Sequence, residues 1–154
     1  MLNIVLFEPE IPPNTGNLIR LCANAGFTLH LIHPLGFRLE DKRLRRAGLD
    51  YAELTSVVEY RNWQDFEESG PAGRRFACTT KGRTCYADVR YKEGDVLLFG
   101  PESRGLPAQM LGGMDEESKI RIPMQSGSRS LNLANAVSII AFEAWRQMDF
   151  AGAQ

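Results

Sequence analysis

Apolar residues gather along this chain in short, nearly unbroken runs at wide intervals: LNIVLF (2–7), TLHLIH (28–33), TSVVEY (55–60), RFACTT (75–80), DVLLFG (95–100) and KIRIPM (119–124). A strand wet on one face alternates apolar with polar residues. A run that stays apolar is covered on both faces, as in a sheet between helices. The gaps between runs are long enough for crossover helices. NTGNLIRLCANAG (14–26) sets Ile19, Cys22 and Ala23 on one helical face and stops at Gly26, a natural C-cap, with Asn14 or Thr15 available to cap its start. RLEDKRLRRAG (38–48) reads as a second, basic helix. SLNLANAVSIIAFEAWRQM (130–148) carries the clearest helical period, with Leu133, Val137, Ile140 and Ala144 in step, Ala141 and Trp145 beside them, and Ser128 or Ser130 as cap. The β-α alternation predicts an α/β fold, a mainly parallel sheet flanked by helices, in one domain over residues 1–154. The tail DFAGAQ is expected to fray.

Composition narrows the function classes. The 154 residues have an ordinary apolar fraction and a formal net charge of -1, so no global field marks a nucleic-acid binder. Local charge is uneven, because residues 74–87 hold Arg74, Arg75, Lys81 and Arg83 with no acid among them. Three cysteines, Cys22, Cys78 and Cys85, have no metal-site spacing, and His30 and His33 flank one strand, so no metal is expected. The N-terminus is unlike a signal peptide and no apolar run approaches a membrane span, which predicts a cytoplasmic, reduced protein.

Three loops after apolar runs carry the chemistry. In α/β folds, ligands collect outside the carboxyl ends of the strands. EPEIPPNTGNLIR (8–20) combines two prolines, a helix start, Gly16 and Arg20. VLLFGPESRGLP (96–107) places Gly100, Glu102, Arg104 and Gly105 at the tip of a buried strand, where Glu102 and Arg104 can pair with each other or face a ligand. IRIPMQSGSRSLNLANA (120–136) runs from a strand through a polar turn into the long helix, and a cap needs only one of its polar residues, yet Asn132 and Asn135 are both present. GxGxxG and GxxxxGK[ST] are both absent, as is a Ser-His-Asp set.

Taken in order, PPNTGNLIR, LLFGPESRGLP and IRIPMQSGSRSLNLANAVSII resemble the three motifs of the SPOUT class of RNA methyltransferases over essentially the whole chain. The short length resembles the branch that methylates the wobble ribose, of cytidine or modified uridine, in leucine tRNAs. The resemblance implies a deep C-terminal trefoil knot, S-adenosylmethionine as cofactor and a homodimer with active sites at its interface. It also implies that backbone groups at Cys78, Gly100, Ile122 and Ser130 hold the cofactor, with Met124 and Leu131 as apolar wall. Arg20 matches the family's central arginine, with Asn14, Glu102, Ser130 and Asn132 around it. A guanidinium stays protonated in proteins, so its physical role is to hold a phosphate and steady a developing alkoxide rather than to act as a base.

RNA contacts are expected from Arg43 and Arg46 on the basic helix, from Lys81 and Arg83, and from Arg104 and Arg129, with Tyr86 and Tyr91 available to stack a splayed base. Phe142 and Trp145 are the expected dimer anchors. Two other readings use the same features: a ribose methyltransferase for another tRNA or rRNA position, and a non-catalytic RNA-binding protein of the same fold.

Overall fold

The computed structural model describes residues 1–40 and 57–154. Most of the basic helix expected over 38–48, with Arg43 and Arg46, lies outside the described residues. Among the described residues, seven strands form one sheet: β1 (Asn3–Phe7), β2 (Thr28–Ile32), β3 (Val57–Tyr60), β4 (Arg75–Cys78), β5 (Thr84–Cys85), β6 (Val96–Phe99) and β7 (Lys119–Arg121). Their order is β3-β2-β1-β6-β4-β7-β5, and every pairing is parallel. Each of the six apolar runs contributes a strand to this sheet.

The unbroken apolar runs follow from burial on both faces. Ile4 and Leu6 of β1, with Leu97 and Phe99 of β6, face one core, while Val5, Phe7, Val96 and Leu98 face the other. The first core is closed by α1 (Pro12–Ala25) and α4 (Leu133–Gln147), which contribute Leu18, Ile19 and Cys22 from one helix and Val137, Ile140, Ala141 and Ala144 from the other. Burying such a set stabilises the layer by roughly 1.5–3 kcal/mol per large side chain. The second core takes Phe66 from α2 (Trp63–Ser69) and Leu111 from α3 (Ala108–Gly112).

Several sequence expectations need correction. Helix α1 begins at Pro12 rather than at Asn14, because two prolines fit its first turn, where free N–H groups would lack partners anyway. Asn14 and Thr15 therefore lie inside the helix, and Ala23 is exposed while Ala25 takes the buried position. Gly26 does end the helix, at φ +70°. Helix α4 is capped by Asn132, not by Ser128 or Ser130. The tail is not frayed: the Trp145 indole N–H donates to the Ala151 carbonyl at 3.1 Å, and Phe150 packs edge-on to Trp145. Tyr91 is buried with its hydroxyl donating to the Tyr86 carbonyl at 2.7 Å, so it offers no ring to a base.

Among the described residues, no helix is long and apolar enough to cross a membrane. No group of His, Cys, Asp and Glu among them is arranged to hold a metal ion.

Candidate active site

Strands β1, β4, β6 and β7 all deliver their carboxyl ends to the same edge of the sheet, so the loops that follow them converge. Glu102, two residues beyond Gly100, organises the convergence. Its carboxylate accepts from the Glu10 amide at 2.8 Å, the Ile11 amide at 3.1 Å and the Asn14 side-chain amide at 3.2 Å. Helix α1 has no side-chain cap of its own, and this carboxylate takes up free N–H groups just ahead of it. Negative charge beside a helix N-terminus is also favoured by the helix dipole.

The relay continues through Asn14. Its buried side chain gives Nδ2 to Glu102 and receives the Asn132 Nδ2 at Oδ1 over 2.8 Å. Asn132 Oδ1 in turn accepts from the Ala134 amide at 2.9 Å and the Asn135 amide at 3.3 Å, capping α4. These contacts also set the two side-chain amides: each nitrogen faces an acceptor and each oxygen a donor.

Around this chain of contacts the 100–107 loop is latched onto the loop after β1. Ser103 Oγ donates to Glu10 Oε1 at 2.7 Å, and Arg104 pairs with Glu8 and, at 3.6 Å, with Glu10. Arg104 therefore does not pair with Glu102, and its charge is directed to acids of this chain. Gly100 is obligatory at its position, since a Cβ there would lie 2.2 Å from the Leu106 amide nitrogen.

The three loops enclose a cavity of about 440 Å³. Ligand pockets commonly fall in the range of ~300–1,000 Å³. All six residues expected to hold the cofactor, Cys78, Gly100, Ile122, Met124, Ser130 and Leu131, line it, together with Asn14, Glu102, Asn132 and Lys81. Phe99 and Ile140 add apolar wall. Burial pushes the Cys78 thiol well above its ordinary pKa, which makes it a neutral wall rather than a nucleophile. This mix of apolar surface and backbone at strand ends suits a flat heterocycle with a polar tail.

Arg20 stands elsewhere. It lines a neighbouring groove of about 340 Å³ between α1 and α4, with Asn17, Ser138, Phe142 and Trp145. Arg83 and Arg129 are exposed and do not line the cavity. Two bases of the 74–83 run have structural duties instead. Arg74 grips the buried Asp95 through contacts of 2.9 and 2.7 Å, and Arg75 pairs with Glu67 while lying over the Phe66 ring at 5.2 Å. The roles of Glu8, Glu10, Ser103 and Arg121 at or beside the site were not legible beforehand. The two acids flanking Pro9 were the one available signal.

The parallel sheet carries its cavity at the strand ends, built from these three motif loops. The chain belongs to the SpoU rRNA Methylase family, whose profile matches residues 1–142. It is 60% identical over 153 residues to the tRNA (cytidine(34)-2'-O)-methyltransferase of Escherichia coli strain K12, covering 99% of this chain and 98% of that protein. A solved structure from work on 2-OH methylation of C/U34 on tRNA superimposes with a TM-score of 0.89 at 45% identity, covering 97% of each chain. The AdoMet-bound rRNA methyltransferase of Sinorhizobium meliloti superimposes at 0.82 with 27% identity, covering 96% of this chain and 56% of that one.

Proposed function

We propose that this chain transfers a methyl group from S-adenosylmethionine to the ribose 2'-oxygen of the wobble nucleotide, cytidine or modified uridine, in leucine tRNAs, and that it works as a cytoplasmic homodimer. One observation carries the reading: the Glu102–Asn14–Asn132 relay draws three distant loops around a single cavity lined by every residue expected to hold the cofactor. The names of the 60% identical relative and of the 45% identical structure support the substrate.

The cavity fits the cofactor by size and by lining. When bound, S-adenosylmethionine supplies an electrophilic methyl group on a sulfonium centre. The chain's own part is positioning. Backbone at Cys78, Gly100, Ile122 and Ser130 would hold the polar edges of the ligand, and Met124 and Leu131 would cover its apolar face and exclude water. Asn14 and Asn132 would present fixed amides at the cavity, because both are immobilised by their mutual bond. Glu102 acts as an acceptor for three N–H groups, so it holds the loops rather than removing a proton. Arg20 would hold a phosphate of the RNA and stabilise negative charge on the 2'-oxygen, the proton leaving to phosphate or water.

Arg20 lies in the α1–α4 groove, and this is where a second chain would complete the site. Phe142 is 42% exposed and Ile139 38% exposed on the same helix, which suits burial between copies. The trefoil knot belongs to the same reading. It is supported by the position of Ile122, Met124 and residues 130–132, which line the cavity beside the 99–106 loop.

The deciding experiment is methyl transfer from labelled S-adenosylmethionine to bulk tRNA by the native protein and by Arg20→Ala, followed by nucleoside and fragment mass analysis. A 2'-O-methyl label at the wobble residue of leucine tRNAs, lost in the variant, is expected. A label at another ribose would overturn the substrate, and no label with no cofactor binding would overturn catalysis.

A further inference from the structure

We infer that Lys81 and Arg121 form a cationic lip on the cavity that takes a phosphate of the RNA backbone beside the methylated ribose; this rests on the tRNA reading above. Both residues line the cavity and both are exposed. They rise from adjoining backbones. The Thr79 amide donates to the Ile120 carbonyl at 2.9 Å, and Gly82 approaches β7 so closely that a Cβ would lie 2.6 Å from the Lys119 carbonyl oxygen. The turn between them is tied by Lys81 N–H to Thr79 Oγ1 at 3.2 Å and by Gly82 N–H to the Thr79 carbonyl at 3.1 Å. Lys81 is thus anchored one turn from Ile120, and Arg121 is the next residue along β7.

Several other bases of this fold are matched, and those without a salt bridge among the described residues, such as Arg83, Arg90, Lys92 and Arg129, do not line the cavity. Arg74 has Asp95, Arg75 has Glu67, Arg104 has Glu8 and Glu10, Lys119 has Glu116, and Arg146 has Glu143. Lys81 and Arg121 have no side-chain partner among the described residues. The acid lining the same cavity, Glu102, already holds two backbone amides and Asn14. Two cations on the lining of one cavity, whose acidic lining residue is already engaged, create a local positive potential at the site, a place that favours an anion.

A chain of net charge -1 must draw any affinity for RNA from such local cations. An exposed lip above an apolar wall meets the backbone of a polymer entering from solvent. Arginine can grip a phosphate through two N–H groups and lysine adds a compact charge.

The test compares the native protein with Arg121→Ala, Lys81→Ala, the double variant and Arg121→Lys. The dissociation constant for tRNA is measured across a salt series, alongside that for S-adenosylhomocysteine. Each alanine should weaken tRNA binding about 3–10-fold at low salt and flatten the log–log salt dependence by about 0.7–0.9 per cation, with cofactor-product affinity unchanged. Arg121→Lys should recover most of the loss. Unchanged tRNA affinity and slope would overturn the lip. A loss confined to S-adenosylhomocysteine would overturn it as well, assigning the cations to the cofactor's carboxylate. Thermal melting checks each fold, and Arg121→Gln or Lys81→Gln, each of which retains a long polar side chain, replaces the corresponding alanine variant if it melts early. Failure of the native protein to bind tRNA at all would sink the substrate reading, and the lip with it.

Discussion

Asn132 gives its Nδ2 to Asn14 Oδ1 across 2.8 Å while its own Oδ1 caps helix α4. One side chain thereby performs two separable jobs, and substitution can split them. Asn132→Ala removes both, and should cost about 1 kcal/mol of stability through the cap together with most of the methyl transfer. Asn132→Asp keeps an acceptor for the helix amides but turns an oxygen toward Asn14 Oδ1. It should melt close to the native protein and still lose activity. Full activity in Asn132→Asp, by the same transfer assay, would reduce the residue to a cap.

Gly100→Ala tests the closeness of the 100–107 loop to its own strand. The new Cβ meets main chain at Leu106 and Gly105, which cannot rotate away as a side chain would. The loop must shift by an ångström or so, and Glu102 moves with it. Calorimetry should show S-adenosylhomocysteine binding weakened at least tenfold, on the order of 1.4 kcal/mol or more. Native affinity would mean that the cavity does not depend on this loop.

Thr15 is fully buried in the first turns of α1, and its hydroxyl has no hydrogen-bond partner. A buried polar atom without a partner opposes folding, and valine has nearly the same shape. Thr15→Val should therefore raise stability by up to about 1 kcal/mol in urea unfolding. If the variant is instead destabilised, the hydroxyl has a partner in solution.

His30 is enclosed by the sheet. Its Nδ1 meets the Tyr60 hydroxyl at 2.9 Å and its Nε2 meets Asn3 Oδ1 at 3.1 Å. Burial lowers its pKa from 6.5 to about 4. The unfolded chain then binds a proton near pH 6.5 that the folded chain refuses until about pH 4. This contribution is complete above pH 6.5 and declines as pH falls. Unfolding free energy should drop by about 2 kcal/mol from pH 7 to pH 5 on this account. The slope should shrink in His30→Gln. A flat profile in the native protein over that interval would contradict the burial argument.

The strands were legible because a sheet covered on both faces leaves unbroken apolar runs, as VLLF in β6 shows with all four residues buried. Helix α2 was missed for the opposite reason: it buries only Phe66, too little to set a period. Strand β5 is two residues long and leaves no pattern. The site was legible as residue types in loops but not as contacts. Glu102 and Arg104, two positions apart, invited a local pairing. Their actual partners sit about ninety residues earlier, where the fold alone brings acids and amides within reach. Arg74 and Arg75 looked like a surface patch because their acids, Asp95 and Glu67, lie outside the basic run, 21 and 8 residues away.

The relay between the loops joins positions 88 to 118 residues apart along the chain. Contacts so remote close late in folding, since the entropy of the intervening chain must be overcome first. During synthesis the loops around Asn14 and Glu102 would be made long before Asn132 arrives to bind the first of them. No fragment that ends before Asn132 contains the whole relay. Cofactor added to refolding protein should therefore stabilise only molecules that have finished folding, and its binding becomes a clock for the last step of assembly.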